Sequence, residues 1–493
     1  MTEKFYPNII NAEHVPAASG KTLDIINPAT GESLGKAAAS GHDDVDRAVK
    51  AARAALNGKW GRLPASGRTK ILFKAAELMN ARAKEIAELE SRNMGKPMLH
   101  VLGEVKQAVE DFEYFAGAAT KVAGTVPPVH GAFFAYTLKE PVGVVGAITP
   151  WNYPIMLESW KVAPALAAGC TVVLKPSEFT PISANVLVEI LHEAGCPEGT
   201  VNLIHGFGAD AGAALVNHPG VDKITFTGGT ETGRAIMKAC ANDIKRVMLE
   251  LGGKSPAIVL DDAKLDDAIL GSLFGIFYGA GQSCDARSRI YVHEKLYDSF
   301  VEKFVAATKK LIVGNPLDKA THIGALAHPS RLPIMESFVE SAKKEGGKIL
   351  CGGHRLTSGD FDKGCFYAPT VIVDLPHSAR CVQEEIFGPI VVISKFTTDD
   401  EAIALANGVR YGLASAIFTN DVTRLQKFVR ALQAGIVAVN TTATALPGLP
   451  FGGFKQSGFG REMAMETLET YLESKTVLMG VTGKPLNPFG IEL

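Results

Sequence analysis

From residue 142 onward, short apolar runs rich in β-branched residues alternate with stretches of helical character. Val142 to Ile148, Thr171 to Leu174, Val201 to Ile204 and Lys223 to Phe226 are such runs, and Ser183 to Ala194 is one of the intervening helices. Strand and helix alternating in this way predict a parallel sheet with helices on both faces. A second series begins after Glu250, with a strand at Ala257 to Leu260, a helix from Leu265 to Tyr278 and a strand at Ile290 to Val292. A chain of 493 residues also exceeds what one hydrophobic core organises. Two α/β halves are therefore expected, with ligands at the carboxyl ends of the strands and in the cleft between domains.

Upstream, Asp43 to Leu56 and Ser66 to Asn93 carry apolar residues at helical spacing among charged ones and read as amphipathic surface helices. Thr125 to Leu138 and the end from Thr470 onward fit neither half; each reads as an extended arm making subunit contacts. The apolar tail residues Leu486, Phe489, Ile491 and Leu493 suggest docking, on another subunit near the substrate entrance.

The 50 basic and 52 acidic residues give a net charge of −2, no basis for nucleic acid or an anionic membrane as the main partner. A small molecule is the expected partner. Met1 to Ile10 lacks the apolar core of a secretory signal and no later stretch is apolar enough to span a bilayer, so the cytoplasm is the expected compartment. Seven scattered cysteines form neither a disulfide framework nor a metal-binding pattern, and no metal is expected.

One of those cysteines carries chemistry. Cys284 lies in the glycine-rich segment Tyr278-Gly279-Ala280-Gly281-Gln282-Ser283-Cys284, where a thiol can approach a small electrophile. Glu250, in Glu250-Leu251-Gly252-Gly253-Lys254, offers a base, and Asn152, in Pro150-Trp151-Asn152, offers an amide donor. Nucleophile, base and oxyanion donor make a covalent-catalysis set.

Two further segments suggest a dinucleotide. Lys223 to Ile236 reads as strand, glycine turn at Gly228-Gly229, then helix, and backbone N–H groups at such a helix start can bind a pyrophosphate. Thr230 stands where the usual fingerprint has its middle glycine, so the turn alone is equally consistent with a structural role. In Lys175-Pro176-Ser177-Glu178 a strand delivers a lysine able to donate to ribose hydroxyls and a glutamate able to accept from the adenosine ribose while repelling a 2′-phosphate, which favours NAD over NADP. Without the other motifs, a solvated Lys and Glu at a strand end would be the better explanation of the segment.

Taken together the motifs resemble the NAD(P)-dependent aldehyde dehydrogenase superfamily. The resemblance runs from Asn27-Pro28-Ala29-Thr30-Gly31-Glu32 to about Lys475 and includes Pro150-Trp151-Asn152, Phe226-Thr227-Gly228, Gly281-Gln282-Ser283-Cys284, Glu385-Ile386-Phe387-Gly388 and Pro450-Phe451-Gly452-Gly453. It implies two Rossmann-like parallel-sheet domains and a small β arm. Residues 1–124 with 142–251 would bind NAD, 252–450 would carry the nucleophile, and 125–141 with 470–493 would form the oligomerisation arm and tail of a homo-oligomer, dimer or tetramer. Carried over by motif, Cys284 is the nucleophile, Glu250 the general base, Asn152 the oxyanion donor, and Lys161 with Glu462 a pair relaying a proton from the base or a purely structural one. Thr149, Trp151, Lys175, Glu178, Gly208, Phe226, Gly228, Gly229, Leu251, Glu385 and Phe387 would hold the cofactor. Tyr153, Leu157, Trp160, Ser283, Asp285 and Ala445 would line the substrate pocket.

Two positions depart from the family pattern. Gly279 replaces an asparagine common in relatives, and Asp285 follows the nucleophile where a small or apolar residue is usual. A carboxylate there disfavours the thiolate, so Asp285 is expected to face away from the sulfur, neutralised by Arg287 and Arg289. The loop Thr441 to Leu449 has neither ring nor charge, and Tyr153 with Trp160 are too few rings for a cation cage. An uncharged aliphatic or aromatic aldehyde is the expected substrate; a semialdehyde or an amino-aldehyde is the alternative. The rival functions are a cysteine hydrolase, which leaves Lys175 and Glu178 without purpose, an acylating enzyme using coenzyme A, which Glu250 argues against, and a catalytically silent protein.

Overall fold

The runs Val144–Ile148, Thr171–Lys175, Val201–Leu203 and Lys223–Thr227 are strands with every residue buried, as parallel strands covered on both faces must be. The computed structural model describes residues 4–483 and 488–491. With Arg246–Glu250 these strands form the parallel centre of an eight-stranded sheet, in which Val144–Ile148 lies between Thr171–Lys175 and Lys223–Thr227. The chain moves outward on one side of Val144–Ile148, then returns to add strands on the other. The reversal puts a crevice outside the carboxyl ends of Val144–Ile148 and Lys223–Thr227, where open α/β sheets bind ligands. Antiparallel strands close the edges: Asn8–Ile10 and Glu13–Val15 on one, Gly458–Phe459 on the other.

The second sheet has seven strands, with Pro256–Val259 and Arg289–His293 at its middle. All its pairings are parallel except that of the edge strand Lys348–Cys351. Each sheet has its own core. Phe112, Phe115 and Leu166 belong to the first, and Phe300, Phe304 and Ile390 to the second. Phe133–Pro141 pairs antiparallel with Leu472–Gly480 from Leu472↔Pro141 to Gly480↔Phe133, forming a two-stranded arm. Among the described residues no helix is long and apolar enough to cross a membrane.

The expected helix over 66–93 is two, Ala65–Ala81 and Ala83–Met94, because Arg82 between them leaves helical geometry at φ −99°, ψ 11°. Among the helices not anticipated are Met98–Ala118 and Pro154–Ala168. The second is buried at every residue, so no polar face gave it a helical period. Of the C-terminal tail, Phe489 and Ile491 are exposed, while Leu486 and Leu493 lie outside the described residues.

Candidate active site

The helix Leu265–Phe277 ends in a turn where Gly279, Ala280 and Gly281 take φ of 57°, 59° and 69° in succession. Left-handed backbone at three consecutive residues needs small side chains. At Gly281 a Cβ would also stand 2.2 Å from the carbonyl oxygen of Gly388. The turn delivers Cys284, half-buried, to a point where it lines two cavities. One, of about 300 Å³, holds all six expected substrate residues, Tyr153, Leu157, Trp160, Ser283, Asp285 and Ala445. The other, of about 220 Å³, is bounded by Trp151, Asn152, Leu251, Glu385 and Phe387. The Asn152 side-chain amide donates to the Gln282 carbonyl at 3.0 Å, which leaves its second N–H available at the cavity.

Glu250 ends its strand and is 3% exposed. It lines neither cavity; a Cβ on Gly452 would come within 2.8 Å of its Oε1. Burial first, then the charge of Glu462, push its carboxyl well above the usual range, with Lys161 and Arg461 opposing. Lys161 Nζ donates to Glu462 Oε1 at 2.5 Å, both side chains being fully buried. The structure thus brings together Glu250, Lys161 and Glu462 behind the cavity wall.

Asp285 is a correction. Its carboxylate faces the same cavity as Cys284, accepting from the Ser283 hydroxyl and from Thr444 Oγ1 at 2.5 Å. Arg287 Nη1 stands 3.7 Å from it, but Arg289 is turned away, donating to the carbonyls of Lys254, Leu405 and Ala406. Burial raises the Cys284 thiol well above its ordinary pKa, and Asp285 adds most among the charges. The substrate cavity is also richer in rings than the sequence suggested. Phe274, Tyr278 and Phe451 join Tyr153 and Trp160, with Phe451 and Trp160 at 4.8 Å between centroids. Phe274 and Tyr278 come from the helix and turn that lead to Cys284; Phe451 belongs to a motif noted in the sequence without a role.

The smaller cavity continues into a cleft of about 740 Å³, the two sharing Pro150, Trp151, Thr227, Gly228 and Gly229. The cleft gathers Thr149, Lys175, Glu178, Gly208 and Phe226 at the crevice set by the strand order. Its chemistry fits a dinucleotide. Lys175 Nζ, 3% exposed, has Glu178 Oε2 at 3.3 Å as its hydrogen-bond acceptor. The hydroxyls of Thr149 and Thr227 are buried without hydrogen-bond partners among the described residues. The helix Thr230–Cys240 starts at Gly229 with no side-chain cap, and a Cβ on Gly229 would meet open space. Uncapped N–H groups beside an open glycine suit a pyrophosphate. At the inner end, Phe387 at φ 57° packs edge-on to Trp151 at 5.1 Å, held from outside by Arg331, which donates to the carbonyls of Ile386 and Phe387. Arg331 and Phe179 escaped the sequence reading, since no motif marks them, and Ser177 stood in the Lys175 to Glu178 motif without a role.

Two open α/β sheets, with a thiol at the junction of a small-molecule cavity and a dinucleotide-sized cleft, define the class: a two-domain protein laid out as a cofactor-dependent enzyme. The aldehyde dehydrogenase family model matches residues 14–477. An aldehyde dehydrogenase of Enchytraeus buchholzi is 45% identical over 478 residues, covering 96% of this chain and 95% of its own. The NAD+ complex of aldehyde dehydrogenase from Bacillus cereus superposes with a TM-score of 0.95 at 41% identity, covering 97% of each chain. Betaine aldehyde dehydrogenase from Staphylococcus aureus, also with NAD+, gives 0.97 at 40% identity, covering 98% of this chain and 96% of that one. The chain belongs to the aldehyde dehydrogenase family.

Proposed function

We propose that this enzyme oxidises an aldehyde to its carboxylic acid with NAD+ and water, through covalent intermediates on Cys284. The observation that carries the reading is the position of Cys284 on the walls of both cavities, so that one sulfur meets a substrate from one side and a cofactor from the other. The thiol loses its proton and adds to the aldehyde carbon, giving a thiohemiacetal. Asn152 Nδ2 and the Cys284 backbone N–H stabilise the charge that develops on the former carbonyl oxygen, a contribution of roughly 3 to 4 kcal/mol per donor. NAD+, when bound in the cleft, supplies the hydride acceptor that turns the thiohemiacetal into a thioester. Glu250 then takes a proton from the water that adds to the thioester carbon, and the acid leaves as the C–S bond breaks. Lys161 and Glu462 carry the proton onward from the base.

Lys175 and Glu178 would hold the adenosine ribose, and the Glu178 carboxylate would repel a 2′-phosphate, which favours NAD+ over NADP+. Thr149, Gly208, Phe226, Gly228 and Gly229 would line the rest of the dinucleotide site, and Leu251, Glu385 and Phe387 its nicotinamide end. The domains would be 1–124 with 142–251, and 252–450. For the substrate we favour an uncharged aliphatic or aromatic aldehyde. Met156, Leu157 and the five rings supply apolar walls, and Asp285 is already engaged by two hydroxyls. Those rings would also receive a cationic amino-aldehyde, and a panel of aldehydes separates the two. The arm of Phe133–Pro141 and Leu472–Gly480 is proposed as a subunit contact, on the apolar surface it leaves exposed at Phe134, Leu138 and Leu478.

Two variants test the mechanism. Cys284→Ala is expected to abolish NADH formation while NAD+ still quenches protein fluorescence with unchanged affinity; turnover in that variant would end the proposal. Glu250→Gln is expected to accumulate thioester, trapped by acid quench, and to lower turnover by roughly two to four orders of magnitude.

A further inference from the structure

Behind Asn152 lies a buried ion pair that the mechanism does not use. Gly95 ends the helix Ala83–Met94 at φ 80°, and the next residue, Lys96, turns inward until its side chain is 1% exposed. Its ammonium has three acceptors for three N–H groups: Glu104 Oε1 at 2.7 Å, Glu104 Oε2 at 2.8 Å and the Asn152 carbonyl oxygen at 2.7 Å. It also sits over the Tyr153 ring at 3.5 Å. The far side of the pair reaches the nucleophile's turn. Tyr278 donates to Glu104 Oε1 at 3.2 Å, and Gly279 brings its backbone so close that a Cβ would lie 3.3 Å from Lys96 Cε.

The ion pair therefore ties together four segments: the turn at Gly95, the helix Met98–Ala118 that carries Glu104, the loop carrying Asn152 and Tyr153, and, through Tyr278, the turn leading to Cys284. Tyr153, Glu104 and Tyr278 line the substrate cavity, but only the contact to Asn152 falls on a residue given a step in the reaction, and it falls on the main chain carbonyl. Resting on the assignment of Asn152 and Cys284 above, we propose that Lys96 is a positioning residue: it fixes the Asn152 main chain so that the side-chain amide meets the oxyanion formed at Cys284. A buried salt bridge is weak evidence for stability, whereas a fully saturated ammonium holds geometry, and misplacement by about 1 Å costs about 100-fold in rate.

The test is a double-mutant cycle read without cofactor, as the burst of 4-nitrophenolate released when 4-nitrophenyl acetate acylates Cys284 in the full-length enzyme. Asn152→Ala is expected to slow the burst by roughly 100- to 1,000-fold. Lys96→Met is expected to slow it by roughly 10- to 100-fold in the wild-type enzyme and by less than about 2-fold in the Asn152→Ala background, because a residue acting through the amide has nothing left to position. Should Lys96→Met not fold, the same cycle is run with Lys96→Met/Glu104→Leu, which leaves no buried charge unpaired. Independent, multiplying losses overturn the proposal, as does an Asn152→Ala variant with the wild-type burst. A burst persisting in Cys284→Ala would instead overturn the assignment of the nucleophile.

Discussion

Asp285 and Cys284 are neighbours in sequence and share a cavity wall, so the carboxylate acts on the thiol at short range. Like charge disfavours a thiolate, and a thiol raised by burial and by Asp285 gains reactivity only as pH rises through its elevated pKa. Removing the charge must move that rise to lower pH. We expect Asp285→Asn to shift the pH midpoint of inactivation by iodoacetamide downward, measured on the enzyme without ligands; an unmoved midpoint would mean that Arg287 and the two hydroxyls already cancel the carboxylate. The residues proposed for the reacting centre could be picked out in the sequence because each sits in a compact local motif, and the structure brings Cys284 and Asn152 to the wall of one cavity. Lys96 and Glu104 could not, since their partnership with Asn152 joins a turn, a helix and a distant loop and shows only once the chain is folded.

The strand Arg246–Glu250 ends in Leu251-Gly252-Gly253, and the two glycines are demanded by what approaches them. A Cβ at Gly252 would stand 2.2 Å from Glu385 Oε2, and one at Gly253 would stand 2.1 Å from the Cys284 carbonyl oxygen. The second contact is backbone and cannot turn aside. Gly253→Ala is therefore expected to displace the nucleophile's main chain by about 1 Å and cost about 100-fold in kcat while the cofactor is still bound; a variant with wild-type kcat would show that the loop yields elsewhere. Short parallel strands were readable to within about two residues because their apolar runs are bounded by charged or glycine-rich turns. The helix Pro154–Ala168, which carries Leu157, Trp160 and Lys161, was not, because a helix buried all round has no periodic signature. The extra rings of the substrate cavity were missed for a related reason: Phe274 and Phe451 lie far apart in sequence, and tertiary packing alone joins them.

Across the molecule, the arm leaves Leu478, Met479 and Val481 between 43% and 58% exposed, an apolar edge that stays open among the described residues. Leu478→Asp/Val481→Asp should reduce the mass seen by sedimentation velocity at micromolar concentration while leaving the far-ultraviolet circular dichroism unchanged, since these side chains contribute nothing to either core. An unchanged mass, or a wild-type chain that sediments as one subunit, would remove the arm from that role. The two cavities that meet at Cys284 have a further consequence. The site is a passage with two doors, not a pouch with one. Nothing in that layout obliges one guest to arrive before the other or to depart so that the other can leave, and in the reaction proposed above an acylated Cys284 would change its spent cofactor for a fresh one while its acyl group stays in place. Order of loading is then a matter of relative affinities and not of obstruction, and two enzymes with this same wall could differ in kinetic scheme without differing in architecture.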